Sequence, residues 1–177
     1  MPHDFSFTAE LKFSSESTVN HSVTAVLLAE VPGAVIVTRA TAEEDRRGTD
    51  YWVSLATGKR VSVDTKVRRR DFGLDDLALE TWSVVEERRI GWTRDASKDT
   101  DYVLWLWEDS GKWRLVPFAM LCAVFIAHWS VWRKTYRRGV QRTTRAGRPA
   151  YHSEVVFVPR VVIWRAIYQQ FSGERAA

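Results

Sequence analysis

Cysteine is almost absent from this chain of 177 residues: Cys122 is the only one. No intrachain disulfide can form. Cys122 sits in an apolar run, where a small buried thiol is expected rather than a nucleophile. A reducing cytoplasm suits this cysteine usage. Histidine is scarce too. His3, His21, His128 and His152 are scattered, with no spacing that suggests zinc. The opening MPHDFSFTAE has no basic stretch followed by an apolar one, so no secretory signal is expected. The longest apolar run, Leu115–Ala127, contains Pro117 and falls short of the roughly 20 residues a membrane span requires. A buried helix explains it better, and no membrane partner is expected. No P-loop, dinucleotide fingerprint, nucleophile elbow, internal repeat or linker is visible.

What remains is an ordinary globular composition, 45% apolar and 27% charged, which suits a single domain over residues 1–177. The formal charge is +4 and the sequence pI about 9.4. That excess is too mild to name a polyanionic partner, so the placement of the charges matters more.

Residues 1–16 read as a loose arm or an edge strand. Val23, Val26, Leu27, Glu30 and Val31 fall at helical spacing behind Asn20, an expected N-cap. Pro32–Gly33 ends that helix, and Ala34–Thr38 reads as a strand. ATAEEDRRG reads as a polar connection. Tyr51–Leu55, a turn at Ala56–Lys59 and Arg60–Arg68 give the best hairpin signal in the chain. Leu77–Val84 is a further strand, and Tyr102–Trp107 with Trp113–Val116 a second hairpin. Pro117 is expected at N1 of a long helix reaching about Tyr136. Gly139–Pro149 reads as a basic loop, Val155–Val158 as a strand and Val161–Phe171 as a final helix. The fold class is therefore α/β: a mixed sheet with flanking helices. Its core is expected over residues 20–116, with a C-terminal elaboration over 117–177.

The chemistry concentrates in Gly48-Thr49-Asp50 and in Asp64-Thr65-Lys66-Val67-Arg68. On the second hairpin strand, Val61, Val63, Thr65 and Val67 share one face, expected as core. Ser62, Asp64, Lys66 and Arg68 share the other, expected as working surface. If Ala56–Gly58 is a three-residue loop with Gly58 left-handed, Leu55 pairs with Lys59 and Asp50 stands opposite Asp64; a two- or four-residue loop would set Asp50 opposite Thr65, on the wrong face. Directly opposed Cβ atoms lie about 4.5–5.5 Å apart, close enough for two carboxylates to share a hard cation such as Mg²⁺ or Mn²⁺. Such a cation relieves the repulsion between the carboxylates. Lys66 would then orient the attacking water or neutralise a phosphate, and Arg68 would clamp a phosphate oxygen.

Helix, strand, G-T-D, hairpin and V-D-T-K together resemble the PD-(D/E)XK nuclease superfamily, over about residues 20–85. The resemblance implies a restriction-endonuclease-like mixed sheet between helices and Mg²⁺-dependent phosphodiester hydrolysis. Asp50 takes the first acid position, Asp64 the second and Lys66 the lysine. Thr49 stands where the signature proline would be. The first helix has no carboxylate at Asn20–Thr24, where many members carry a glutamate; Glu16 lies too early and Glu30 too late. A third metal ligand comes from Glu80, or is absent.

Arg133, Lys134, Arg137, Arg138, Arg142, Arg145 and Arg148 follow one another with no acid between 133 and 148. With Lys59, Arg60, Arg68, Arg69 and Arg70 they are candidate phosphate contacts, without sequence readout. Of the nine tryptophans, Trp105 and Trp107 share a strand face. Trp129 and Trp132, at i, i+3, suit core packing or a homodimer contact.

Two functional readings follow. One is a metal-dependent nuclease acting on DNA or RNA, of phage or mobile-element type. The other is a non-catalytic protein on the same fold, which binds nucleic acid or blocks a protein partner in a host–phage conflict. The missing helix carboxylate favours the second.

Overall fold

The computed structural model describes residues 3–4, 17–145 and 148–172; residues 1–2 and 5–16 of the expected N-terminal arm and 146–147 of the expected basic loop lie outside them. It is a mixed α/β structure whose residues group into two compact units. One contains residues 12–73 and 97–119; the other contains 1–11, 74–96 and 120–177.

The first unit is built on a five-stranded mixed sheet. Its strands are β2 (Ala34–Arg39), β3 (Tyr51–Leu55), β4 (Arg60–Arg68), β7 (Tyr102–Trp107) and β8 (Trp113–Pro117), in that spatial order. β4 and β7 run parallel; the other neighbours are antiparallel. Helix α1 (Ser17–Glu30) lies against one face. It starts three residues before the expected N-cap, so Asn20 belongs to its first turn. Val19, Val23 and Leu27 on it and Val31 just past its end, four apart, form a single buried stripe. That stripe packs with Tyr51, Val53, Val63, Leu104 and Leu106, which alternate along β3, β4 and β7. Pro117 closes β8 rather than opening the next helix.

The stretch read as a polar connection contains a short helix, α2 (Ala42–Arg46). Both its ends are sealed. Thr41 and Glu44 form a reciprocal capping box. At the other end Gly48 N–H donates to the Asp45 carbonyl at 2.9 Å and Thr49 N–H to the Glu44 carbonyl at 3.1 Å. This is a Schellman closure, and it requires the left-handed φ of +101° that Gly48 adopts. The Trp52 indole N–H then ties Glu44 to β3 at 2.9 Å.

The second unit has its own sheet, in the order β1 (His3–Asp4), β9 (Arg138–Arg145), β10 (Arg148–Pro159), β5 (Asp76–Val84), β6 (Arg89–Ile90). It is antiparallel apart from the two residues of β1. Leu77–Val84 thus pairs with β10, which draws residues 74–96 away from the expected core of 20–116. The expected basic loop is a long hairpin, β9–β10. Arg138, Arg142, Arg145 and Arg148 fall on its strands.

Helix α3 (Phe118–Thr135) supplies Leu121, Cys122, Val124, Phe125 and Trp132 to buried positions, and α4 (Arg160–Phe171) supplies Ile163 and Ala166. Burial pushes the Cys122 thiol up, and the charge of Asp95 adds to this. No described helix is long and apolar enough to cross a membrane. Trp132 is buried and Trp129 half-buried. Trp132 stacks on His128 at 5.2 Å, and Trp129 meets Trp82 edge-on at 5.5 Å. The Arg94 guanidinium lies 3.8 Å from the Trp129 ring centre and 4.7 Å from that of Trp82.

Candidate active site

The β3–β4 turn decides where Asp50 lies. Leu55 N–H donates to the Lys59 carbonyl at 2.8 Å, and Gly58 N–H to the Leu55 carbonyl at 2.9 Å. Gly58 has φ +80°. The loop is therefore the expected three residues, with its glycine left-handed. Regular pairing runs from Ser54–Arg60 to Tyr51–Val63. Asp50 stands one position beyond the last pair, at the Asp64 end.

The surroundings of Gly58 are open: beyond the glycine and its two chain neighbours, no heavy atom lies within 4 Å of a Cβ built there. Gly58→Ala is therefore expected to cost only the left-handed backbone penalty, about 1 kcal/mol, with the register intact. Urea unfolding, with amide chemical shifts of β3 and β4 as the register check, measures both.

The backbone of Asp50 is fixed on two sides. Its N–H donates to the Val63 carbonyl and its carbonyl accepts from Ala40 N–H, both at 2.9 Å. Its Oδ2 accepts Thr65 N–H at 2.7 Å and Thr65 Oγ1–H at 2.6 Å. The carboxylate thus serves a β4 amide beyond the last β3 pair. Burial works against the charge of Asp50. Lys66, the two Thr65 hydrogen bonds and a hydrogen bond from Asp45 together outweigh it and hold the pKa below the usual range. Asp45 is pushed the other way, first by desolvation and then by sharing that hydrogen bond with a carboxylate.

Asp64 is only 4% exposed. The face carrying Ser62, Asp64, Lys66 and Arg68, expected as an open working surface, is buried at Ser62 and Asp64 and half-buried at Lys66 and Arg68. β4 is the central strand of its sheet, with β3 and β7 hydrogen-bonded on either side. Lys66 Nζ donates to Asp64 Oδ1 at 2.7 Å. Burial nevertheless raises the Asp64 pKa, with Asp50 adding repulsion against the favourable charges of Lys66 and Lys98.

Asp50, Asp64 and Lys66 are thus brought together. Arg68 follows on the same strand, and its carbonyl accepts Glu108 N–H at 2.9 Å. Arg69 and Arg70 are exposed just beyond β4. Glu80 belongs to the other unit. Its carboxylate accepts Trp92 N–H at 2.9 Å and its own N–H donates to Thr93 Oγ1 at 2.9 Å, so it holds the 3₁₀ turn at Trp92–Arg94. Of the basic run, Arg133 and Arg138 pair with buried Glu154 at 2.5 and 3.6 Å. Arg137 lies over the Phe157 ring and 3.5 Å from Asp76. Those three arginines build their own unit. Lys134 and Arg142 are exposed, and the Arg145 side chain lies outside the described residues.

Two charged residues at the site escaped the sequence reading. Asp45 arrives on α2, and both end signals of that helix, Thr41 with Glu44 and the later Gly48, are legible in the sequence. Lys98 arrives on the loop before β7, where no local pattern announces it.

The donors suit Mg²⁺ in kind, because both carboxylates offer hard oxygens. Thr65 occupies Oδ2 of Asp50 and Lys66 occupies Oδ1 of Asp64, while Asp45 also hydrogen-bonds to the Asp50 carboxylate. Among the described residues no three His, Cys, Asp or Glu side chains are grouped to hold a metal. A cation here would rest on Asp50 and Asp64, completed by water. Comparison with protein-family models, with curated proteins and with solved structures finds no match to this chain.

Proposed function

We propose that the chain is a Mg²⁺-dependent nuclease of the PD-(D/E)XK type, acting on DNA. Asp64 carries the reading. It is a carboxylate buried within a strand, with a lysine at 2.7 Å and a second acid imposing on it. Such a group is a burden on the fold, and burdens of this kind concentrate at working sites. Asp50 and Asp64 would hold the cation, which when bound makes water more acidic and offsets charge growing on the phosphorus. Lys66 Nζ, fixed by Asp64, orients the attacking water or meets a phosphate oxygen. Arg68 clamps the phosphate, and Arg69 and Arg70 extend the contact along the backbone.

The test is direct. Single-stranded DNA, duplex DNA and RNA are incubated with the purified chain and Mg²⁺ or Mn²⁺. Cleavage is expected that EDTA abolishes and that Lys66→Ala lowers at least a hundredfold. Absence of products from every nucleic-acid form overturns the reading.

One observation favours a non-catalytic role. Asp50 Oδ2 already serves both the N–H and the hydroxyl of Thr65, a structural duty. A protein that binds nucleic acid or a protein partner would keep its biological activity in Asp64→Ala.

A further inference from the structure

The loop before β7 is fastened to the proposed site with unusual thoroughness. Thr100 Oγ1–H donates to the Gly48 carbonyl at 2.6 Å, and Thr49 Oγ1–H to the Asp99 carbonyl at 2.9 Å. One residue on, Asp101 Oδ2 accepts Ser62 N–H at 2.7 Å and Ser62 Oγ–H at 3.0 Å. Asp101 N–H returns a bond to Ser62 Oγ at 2.9 Å. Lys98 immediately precedes this clamped stretch. Its Nζ and Cδ lie 2.8 and 3.2 Å from where a Cβ on Gly48 would stand. The missing side chain therefore makes room for the lysine, two residues before Asp50. The charge of Lys98 acts on Asp64.

A lysine needs no such fastening to dwell on the surface in water. Held by its loop at the G-T-D turn, it adds a cation where Lys66 already faces a carboxylate. Lys66 is the ion-pair partner of Asp64 at 2.7 Å, and Lys98 is a second cation beside the acids of the site. An ammonium held there also stands where a phosphate entering the proposed site would meet it.

We propose that Lys98 is a substrate-binding residue of this site, contacting a phosphodiester oxygen of the nucleic-acid backbone. The proposal rests on the nuclease reading and names the residue that reading lacks on the β7 side.

The test compares wild type with Lys98→Met and Lys98→Arg, with Lys98→Gln as a second neutral variant should Lys98→Met fold poorly. Binding of fluorescent duplex and single-stranded oligonucleotides is measured by anisotropy in EDTA across a salt series, and cleavage with Mg²⁺ separately. The neutral variants are expected to bind more weakly, on the order of threefold to tenfold. Their plot of log affinity against log salt should be shallower by about 0.9 for duplex, as one lost phosphate contact requires. Lys98→Arg should restore both. Unchanged affinity and slope in the neutral variants overturn the proposal, even if wild type cleaves. A wild type that binds through Lys98 but cuts nothing leaves this contact standing and removes the nuclease reading instead. A wild type that binds no nucleic acid overturns both.

Discussion

Asp64→Asn is expected to abolish cleavage while leaving the protein as stable as wild type, or more stable. The activity loss should reach at least a thousandfold, because the proposed metal site would lose one of its two carboxylates. The stability result follows from the sign of the pKa shift. Burial raises the folded-state pKa of Asp64 above its unfolded value of about 3.9. A group shifted that way contributes stability below its unfolded pKa and loses it as pH rises through the folded pKa. At neutral pH the ionised group is thus a cost, and asparagine mimics the protonated form. Lys66 tolerates the loss of its partner because its side chain is 31% exposed and can be solvated. Thermal melts of both proteins at pH 4 and pH 8 check this. Wild type should fall further behind the variant at pH 8. A variant several degrees less stable at pH 8 would make Asp64 a structural ion-pair member instead.

Glu154→Gln should do the reverse: a large loss of stability, unconnected with chemistry at Asp64. Glu154 is 3% exposed and accepts Arg133 Nε at 2.5 Å, Arg133 Nη2 at 2.9 Å and Thr81 Oγ1–H at 2.8 Å. Burial alone would raise its pKa, but these bonds and the charges of Arg133 and Arg138 lower it. Breaking such a pair costs about 3 kcal/mol, the low end for buried pairs, since a third of the Arg133 side chain meets solvent. With a lowered pKa, the contribution is present above the unfolded value of about 4.3 and is lost as pH falls through the folded pKa. Urea unfolding at pH 7 should show the full gap between wild type and Glu154→Gln, and at pH 3 a narrower one. Arg133→Met should likewise cost stability first. Nucleic-acid affinity should respond more to exposed Arg69 or Arg70.

The local geometry of the hairpin was legible because a few residues determine it. Gly58 selects the turn, the turn selects the register, and the register selects the neighbours of Asp50. Helix α2 was legible too, through Thr41, Glu44 and Gly48, but its polar surface resembles a loop when hydrophobic period is the guide. Val155–Val158 was read as a strand and lies in β10, but β9 and the first half of β10 were missed for the same reason. Arginines and threonines hide an alternation that pairing with β5 and burial of Glu154 make plain. The burial of Asp64 could not be read from its own strand, since it depends on β4 being central. That position comes from β7, whose pairing with β4 is long-range. The same holds for Lys98, which reaches the site through contacts roughly fifty residues away in sequence, from Thr49 and Gly48 to Asp99 and Thr100.

The parallel pairing of β4 with β7 also governs the order in which this molecule can be made. Val63 must find Tyr102, and every residue between Leu74 and Ala96 is committed to another compact unit. A ribosome delivering the chain from its N-terminus exposes the Asp64–Lys66 strand with one edge bare until β7 emerges. Until then that edge is a template for mispairing with other nascent chains. Non-local closure of this kind slows folding, so refolding yield should depend on protein concentration more than the modest chain length suggests.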